Sequence, residues 1–285
     1  MSRISETAPW PTAAARTDQK AAPTPHARRS LRSQPRVLCC EEGYELWAPA
    51  YDRDPNPLLA LEERTLKPLL ADLAGRRVLD IGCGTGRWLE LLLDLGARRA
   101  AGVDCSRAML GAAAAKARLC GCLVRGNGET LPFRSEVADV VVCSFALGHI
   151  SKLETLAGEV ARVAKPQADI WLTDLHPEGY ARGWRVGFRH GSGPREIATF
   201  AYSVEQVRRA FTSQDLEMVE CIEPHLGEPE RVIFSRAGRA DLFDDACKVP
   251  AVLIAAVLAA FRAPFIVCVV AGAAVAGLLR AVFHL

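Results

Sequence analysis

Between residues 77 and 174 short apolar runs alternate with stretches in which apolar positions recur at helical spacing. The runs at 77–81, 100–103, 122–124, 139–144 and 169–174 read as strands, several of them apolar enough to be buried on both faces. Between them lie the helical stretches 87–95, 107–119 and 152–164, the last ended by Lys165-Pro166 because proline cannot extend a helix. Strand and helix signals taking turns predict an α/β fold, a parallel doubly wound sheet covered on both faces. A helix at 203–211 and two final strands, near 217–222 and 231–234, would close the sheet.

Flanking segments have different patterns. Tyr44, Leu46, Trp47 and Tyr51 precede the turn-like Asp54-Pro55-Asn56-Pro57, and a second periodic run covers 58–73, so two lid helices are predicted within 41–74. Residues 1–36 are rich in Ala, Pro, Ser, Thr and Arg without apolar period and predict a disordered arm, since ordering them would bury no compensating core. Residues 176–202, rich in Gly, Arg and aromatics, read as an insertion on the substrate side of the main domain at 75–238. Residues 250–285 read as a hydrophobic, helical carboxy-terminal segment. Within it 263–279 carries no charge and as a helix would span about 25 Å at roughly 1.5 Å per residue, the lower limit for a membrane crossing. Gly272 and Ala276 have the spacing of close helix packing in lipid, and flanking arginines could snorkel. The stretch is read as a membrane anchor. The alternative is a buried or dimer-forming helix, which suits the shorter run 251–261 better.

Charge changes little in this picture. Lysine and arginine number 35 against 33 acidic residues, which gives no overall electrostatic reason to bind nucleic acid. The ten cysteines lack the paired spacing of a zinc site, and no secretory signal precedes them, so they are read as reduced thiols of a cytoplasmic protein with no metal.

The chemistry concentrates at Val78-Leu79-Asp80-Ile81-Gly82-Cys83-Gly84-Thr85-Gly86, a strand running into a glycine-rich turn and then a helix. Glycines here let backbone approach a ligand. The spacing is G-x-G-x-G and not the G-x-G-x-x-G of a dinucleotide site. Asp80 would repel a pyrophosphate but can accept from backbone amides or an ammonium group.

This segment resembles motif I of class I S-adenosylmethionine (SAM)-dependent methyltransferases, and the order of the motifs after it resembles the ubiquinone/menaquinone C-methylase-like, type 11 branch over about two thirds of the chain. The resemblance implies a Rossmann-like seven-stranded sheet with its seventh strand antiparallel and SAM as cofactor; the methyl acceptor is read as an unidentified small molecule or, with a membrane anchor holding the domain at a lipid surface, a lipid-like one. It implies that Asp104, in Gly102-Val103-Asp104-Cys105-Ser106, holds the ribose hydroxyls and that Met109 lies against the adenosine. Gly126-Asn127-Gly128-Glu129 resembles the family's G-D-A-E loop with Asn127 for the aspartate, so its amide oxygen is expected to receive the adenine amino group. The run at 139–144 resembles the family's fourth strand and brings in Ser144. In the helix-then-K-P-G-G turn, Gln167 and Ala168 replace the glycines. Tyr44 to Asp52 resembles the family's amino-terminal "YD" helix, with Tyr51 reaching the methionine carboxylate or else packing the lid.

Methyl transfer needs a base only where the acceptor loses a proton. His149, Asp174 and His176, near the carboxyl ends of the predicted strands, are the candidates. Tyr180, Arg182, Trp184, Arg185, Phe188, Arg189 and His190 form a basic, aromatic cluster suited to an acidic or planar acceptor, with a solvated loop as the alternative. Two rival functions stand beside transfer: a catalytically silent SAM-binding regulator and a nucleotide-dependent oxidoreductase.

Overall fold

The computed structural model describes residues 34–70, 72–191, 193–236, 246 and 250–259. The arm expected at 1–36, apart from its last three residues, and the uncharged stretch 263–279 lie outside them.

The described chain starts with a short strand, β1 (Arg36–Leu38), and two helices, α1 (Cys40–Tyr51) and α2 (Pro57–Leu66). Asn56 starts α2: its side chain accepts from the Leu58 amide, and Pro57 supplies a helical φ where no N–H is needed. Then come β2 (Arg77–Ile81), α3 (Arg87–Asp94), β3 (Arg99–Asp104), α4 (Arg107–Ala114), β4 (Leu123–Arg125), β5 (Ala138–Ser144), α5 (Leu153–Val163) and β6 (Ala164–Leu175). A short helix α6 (Pro177–Ala181) leads to the hairpin β7 (Gly187–His190) and β8 (Gly193–Ile197). The chain continues through α7 (Val204–Thr212), β9 (Leu216–Ile222), α8 (Glu228–Arg236) and β10 (Val252–Ala259).

Seven strands form one sheet in the order β4-β3-β2-β5-β6-β10-β9. Its strands are parallel except β10, which runs antiparallel to both of its neighbours. Both faces are apolar. On β5, Val140 and Val142 pack on one face with Leu61 and Leu66 of α2 and Trp88 and Leu92 of α3. Val141 and Cys143 face the opposite side, with α5 and with Val207, Ala210 and Phe211 of α7. A strand buried twice over shows no polar alternation, which is why β5 reads as an unbroken apolar run.

The strand order reverses between β2 and β5, because the chain steps outward one way through β3 and β4 and the other way through β6. That opens a crevice at the carboxyl ends of these strands, the place where open α/β sheets take ligands.

The carboxy-terminal reading needs two corrections. Residues 231–234 belong to helix α8, not a closing strand. Glu228-Pro229-Glu230 is a helix start, and the Glu230 carboxylate accepts from the Gly227 amide at 2.7 Å while pairing with Arg64 of α2 at 3.0 Å. The seventh strand is instead 252–259, within the segment expected to be helical. Its run of Val, Leu, Ile and Ala fills the slot between β6 and β9, where every backbone group on both sides can pair.

The insertion at 176–202 is built of α6 and the hairpin, to which β1 adds a parallel third strand on β8. Phe188 of β7 stacks on Trp47 of α1 at 4.9 Å between ring centroids. The hairpin thereby packs against the first lid helix.

Candidate functional site

Two adjoining cavities occupy the crevice. The first is lined by the turn after β2, the ends of β3 and β5, the start of α4, the loop after β4, and Cys40, Tyr44 and Tyr51 of α1. All the expected cofactor residues except Gly86 lie on its wall: Tyr51, Asp80, Gly82, Cys83, Gly84, Asp104, Cys105, Met109, Asn127, Gly128 and Ser144. Gly86 stands behind it as the left-handed residue that starts α3, at φ 83°, with Leu119 so close that a Cβ would lie 2.3 Å from it.

Asp80, at the end of β2, is buried, and its Oδ1 has no hydrogen-bond partner. Burial pushes its carboxyl up to about 8, with Arg87 opposing the shift. Asp104 is fixed in a defined pose: Oδ2 accepts from the Gly84 amide and Oδ1 from the Ser106 amide, both at 2.8 Å. Burial raises its pKa against these two bonds. Each oxygen keeps a lone pair for an incoming hydroxyl. Gly84, at φ 53°, presents bare backbone at the cavity wall, and a Cβ there would meet nothing within 4 Å.

Asn127 departs from its expected role. Its Oδ1 already accepts from the Glu129 amide at 3.1 Å and the Thr130 amide at 2.9 Å, so both lone pairs serve the turn and the free donor is Nδ2. Ser144 lines the cavity, but its hydroxyl donates to Glu62 at 2.7 Å.

Glu62 lines neither cavity but positions side chains that do, and sequence reasoning missed it. Fully buried on α2, it accepts from Arg87, Ser144, Thr173 and the Trp88 indole, and so binds the second lid helix to β5, β6 and the start of α3. Arg87 was missed as well. It is the first residue of α3, and its guanidinium lines the first cavity between Glu62 and Glu63. The one signal was its place directly after the third motif glycine, since side chains at a helix start lean back over the amino end.

Two more bonds hold α1 over the cavity. Thr85 donates to Asp52 at 2.6 Å, and Glu45 accepts from the Ser106 hydroxyl at 3.1 Å and the Ala108 amide at 3.0 Å, which neutralises orphan donors at the start of α4.

The second cavity, about 930 Å³, shares Tyr44, Tyr51, Leu59 and Phe145 with the first. Its other described lining is mostly apolar, with Trp47, Leu58, Leu175, Trp184, Val186 and Leu226, and it is edged by Asp174, Arg182 and Arg185. Of the basic, aromatic cluster, Arg182, Trp184 and Arg185 therefore face this space, while Tyr180, Phe188, Arg189 and His190 do not.

The three base candidates separate. His149 lies on the first cavity, its Nε2 2.8 Å from the Tyr44 hydroxyl, and burial pulls its pKa down to about 4. Asp174 lies on the second; burial pushes it up to about 7 although it accepts from the Gly148 and Leu175 amides. His176 lines neither cavity. Its Nδ1 accepts from the Glu178 amide at 3.1 Å to start α6, and its Nε2 lies 2.9 Å from Glu223, so it shapes the loop.

A seven-stranded sheet of this order, with β10 antiparallel and a glycine turn after β2, is the class I methyltransferase fold. Residues 79–172 match the family described as a methyltransferase domain, so the chain carries a type 11 methyltransferase domain, a family that implies S-adenosylmethionine as cofactor. Phthiotriol/phenolphthiotriol dimycocerosates methyltransferase 1 of Mycobacterium ulcerans is 32% identical over 142 residues, 48% of this chain and 51% of that protein. Demethylmenaquinone methyltransferase of Bacillus pumilus is 31% identical over 137 residues, 45% of this chain and 58% of that one. The chain thus spans little more than half the length of these relatives. Among solved structures, the methyltransferase of Haloferax volcanii in complex with its Trm112 activator superposes with a TM-score of 0.60 at 20% identity, covering 79% of this chain and 99% of the other. Among the described residues no helix is long and apolar enough to cross a membrane.

Proposed function

We propose that this chain holds S-adenosylmethionine in the first cavity and transfers its methyl group to a largely apolar small molecule or lipid-like acceptor in the second. The observation that carries the reading is the buried, unpartnered oxygen of Asp80 beside the pre-set carboxylate of Asp104. A buried carboxyl without a donor is costly, and a cationic amine on the ligand supplies the missing partner. In this reading Asp80 takes the ammonium of the cofactor, Asp104 its ribose hydroxyls, and Tyr51 and Arg87 its carboxylate. Met109 lies against the adenosine, and Asn127 donates through Nδ2 to an adenine ring nitrogen.

The cofactor supplies a methyl carbon made electrophilic by a sulfonium. What the protein adds is placement, holding an acceptor atom about 3 Å away and in line while the lid excludes water. Tyr44, fixed by His149 at the seam between the cavities, orients that atom. His149 stays neutral at physiological pH because burial disfavours its charged form. Asp174, with its raised pKa, is the proton acceptor for substrates that must lose one. The apolar wall of the second cavity suits a lipid-like acceptor, and Arg182 and Arg185 at its edge suit an anionic end. Two relatives are named for a dimycocerosate lipid and for demethylmenaquinone, in keeping with such an acceptor.

One observation favours the rival of a silent SAM-binding regulator: His176 is held by Glu178 and Glu223 away from both cavities and the His149 Nε2 is held by Tyr44, which leaves Asp174 as the one base candidate free to take a proton. Calorimetric titration of SAM into the full chain and into Asp104→Ala tests the cofactor site. Loss of the carboxylate is expected to weaken binding by about 1.5–3 kcal/mol, and equal affinities would reject the assignment. Release of S-adenosylhomocysteine with amphiphilic acceptors then separates enzyme from regulator.

A further inference from the structure

We propose that Cys40 and Cys105 are a peroxide-oxidisable thiol pair, a modification site that joins the lid helix α1 covalently to the loop after β3. Cys40 is the first residue of α1, and Cys105 follows Asp104 at the end of β3. Both thiols are free, partly exposed and set on the wall of the first cavity, where a small oxidant can reach them.

Neighbouring bonds hold the two backbones together at this point. One turn along α1, Glu45 accepts from Ser106 and Ala108, the residues that come after Cys105. Arg125 donates to the Cys105 carbonyl at 3.1 Å and pairs with Glu41, the residue after Cys40. Both thiols line the wall of the first cavity beside these bonds. The Cys40 thiol, as a hydrogen-bond donor, favours the Cys105 thiolate and lowers its pKa, with burial and the charges of Asp104 and Glu41 acting the other way. That bond, burial, and the charges of Cys105, Asp104 and Cys39 raise the pKa of Cys40. The more acidic thiol is the attacking one, and its partner is in place to resolve the product.

The step balances as two thiols and one hydrogen peroxide giving one disulfide and two waters. The Cys105 thiolate attacks a peroxide oxygen, the O–O bond breaks, and the departing hydroxide leaves as water with the proton that Cys105 had given up. The Cys40 sulfur then attacks the resulting sulfenic acid, the S–S bond forms, and its hydroxyl leaves as water with the Cys40 proton. Two electrons pass from the sulfurs to the peroxide.

Because α1 also carries Tyr44 and Tyr51 on the cavity wall, fixing its first residue to the Asp104 loop restrains the lid through which a ligand passes. This consequence, unlike the linkage itself, rests on the proposed cofactor site.

The experiment uses reduced, desalted full-length protein, treated with hydrogen peroxide, alkylated, and digested with trypsin without reductant for mass spectrometry. A disulfide joining the peptides 37–53 and 100–107 is expected, retained in Cys39→Ser, lost in Cys40→Ser and Cys105→Ser, and reversed by dithiothreitol. Stopped-flow binding of SAM to the oxidised protein is expected to slow by about tenfold and to recover on reduction. Over-oxidation of Cys105 without linkage, or a bridge made by Cys39, would overturn the pair. A correct bridge with unchanged binding rates would overturn its gating role. Reduced protein that binds no SAM would overturn the cofactor reading and the gating with it, while the mass of the linked peptides still decides the thiol chemistry.

Discussion

Asn127 shows how much a single atom decides at the cofactor wall. The sequence suggests an amide oxygen turned to the ligand, but two backbone amides of its own turn already occupy that oxygen. A carboxylate at this position would keep one oxygen on the turn but set the second, an acceptor only, where Nδ2 donates. Asn127→Asp is therefore expected to weaken SAM by about 1 kcal/mol, roughly fivefold, in a calorimetric titration. Tighter binding would show that the wall instead receives the adenine amino group. The same scale explains which site residues were legible beforehand. Asp80, Asp104 and the glycines announce themselves because their neighbours in sequence are their neighbours in space. Glu62 does not, since its bond to Thr173 spans 111 positions, and neither does the Arg64–Glu230 pair, 166 positions apart.

At the scale of elements, strands β2 to β6 and helices α3 to α7 were readable, apart from the short α6 and the hairpin, because caps, prolines and periodicity are local signals. β10 was not. Strict alternation marks a strand with one wet face, and β10 pairs on both edges with its described residues Val252 to Ala255 buried, so a short apolar run could equally have been helix. The start of β6, where its register with β5 shifts, carries a further mark of local strain. Gln167 sits at φ 64°, a left-handed conformation that costs a residue with a Cβ about 1–2 kcal/mol, and the family pattern has glycine there. Gln167→Gly is expected to raise stability by up to about 1 kcal/mol after the extra entropy of glycine is subtracted, a gain of about 2–4 °C in melting temperature. A lower melting temperature would show that the Gln167 side chain compensates its own backbone.

At the scale of the whole molecule, buried acids give stability a pH dependence of definite sign. Asp80 and Asp174, at about 8 and about 7, keep their protons in the folded state after the unfolded chain has released them. Their contribution is therefore present at low pH and lost as pH rises through those values. His149, lowered from 6.5 to about 4, works in the opposite sense, but only below its ordinary value. Between pH 6.5 and 8 the two carboxyls act without that opposition, and the melting temperature of the ligand-free protein is expected to fall across this range. Thermal unfolding of Asp80→Asn over the same range checks this, since the variant should show a shallower slope. An identical slope would remove Asp80 from the account.

The position of β10 also bears on how the chain is made. The strands on either side of it, β6 and β9, are complete by residue 222, whereas the strand that joins them ends at residue 259. During synthesis both therefore wait with unsatisfied edges while the ribosome adds the intervening residues, and an unpaired edge is a template for joining another chain. A nascent protein of this design depends on rapid elongation or on a chaperone over that interval. A product cut short before residue 252 would be an aggregating species, however intact its glycine turn and carboxylates.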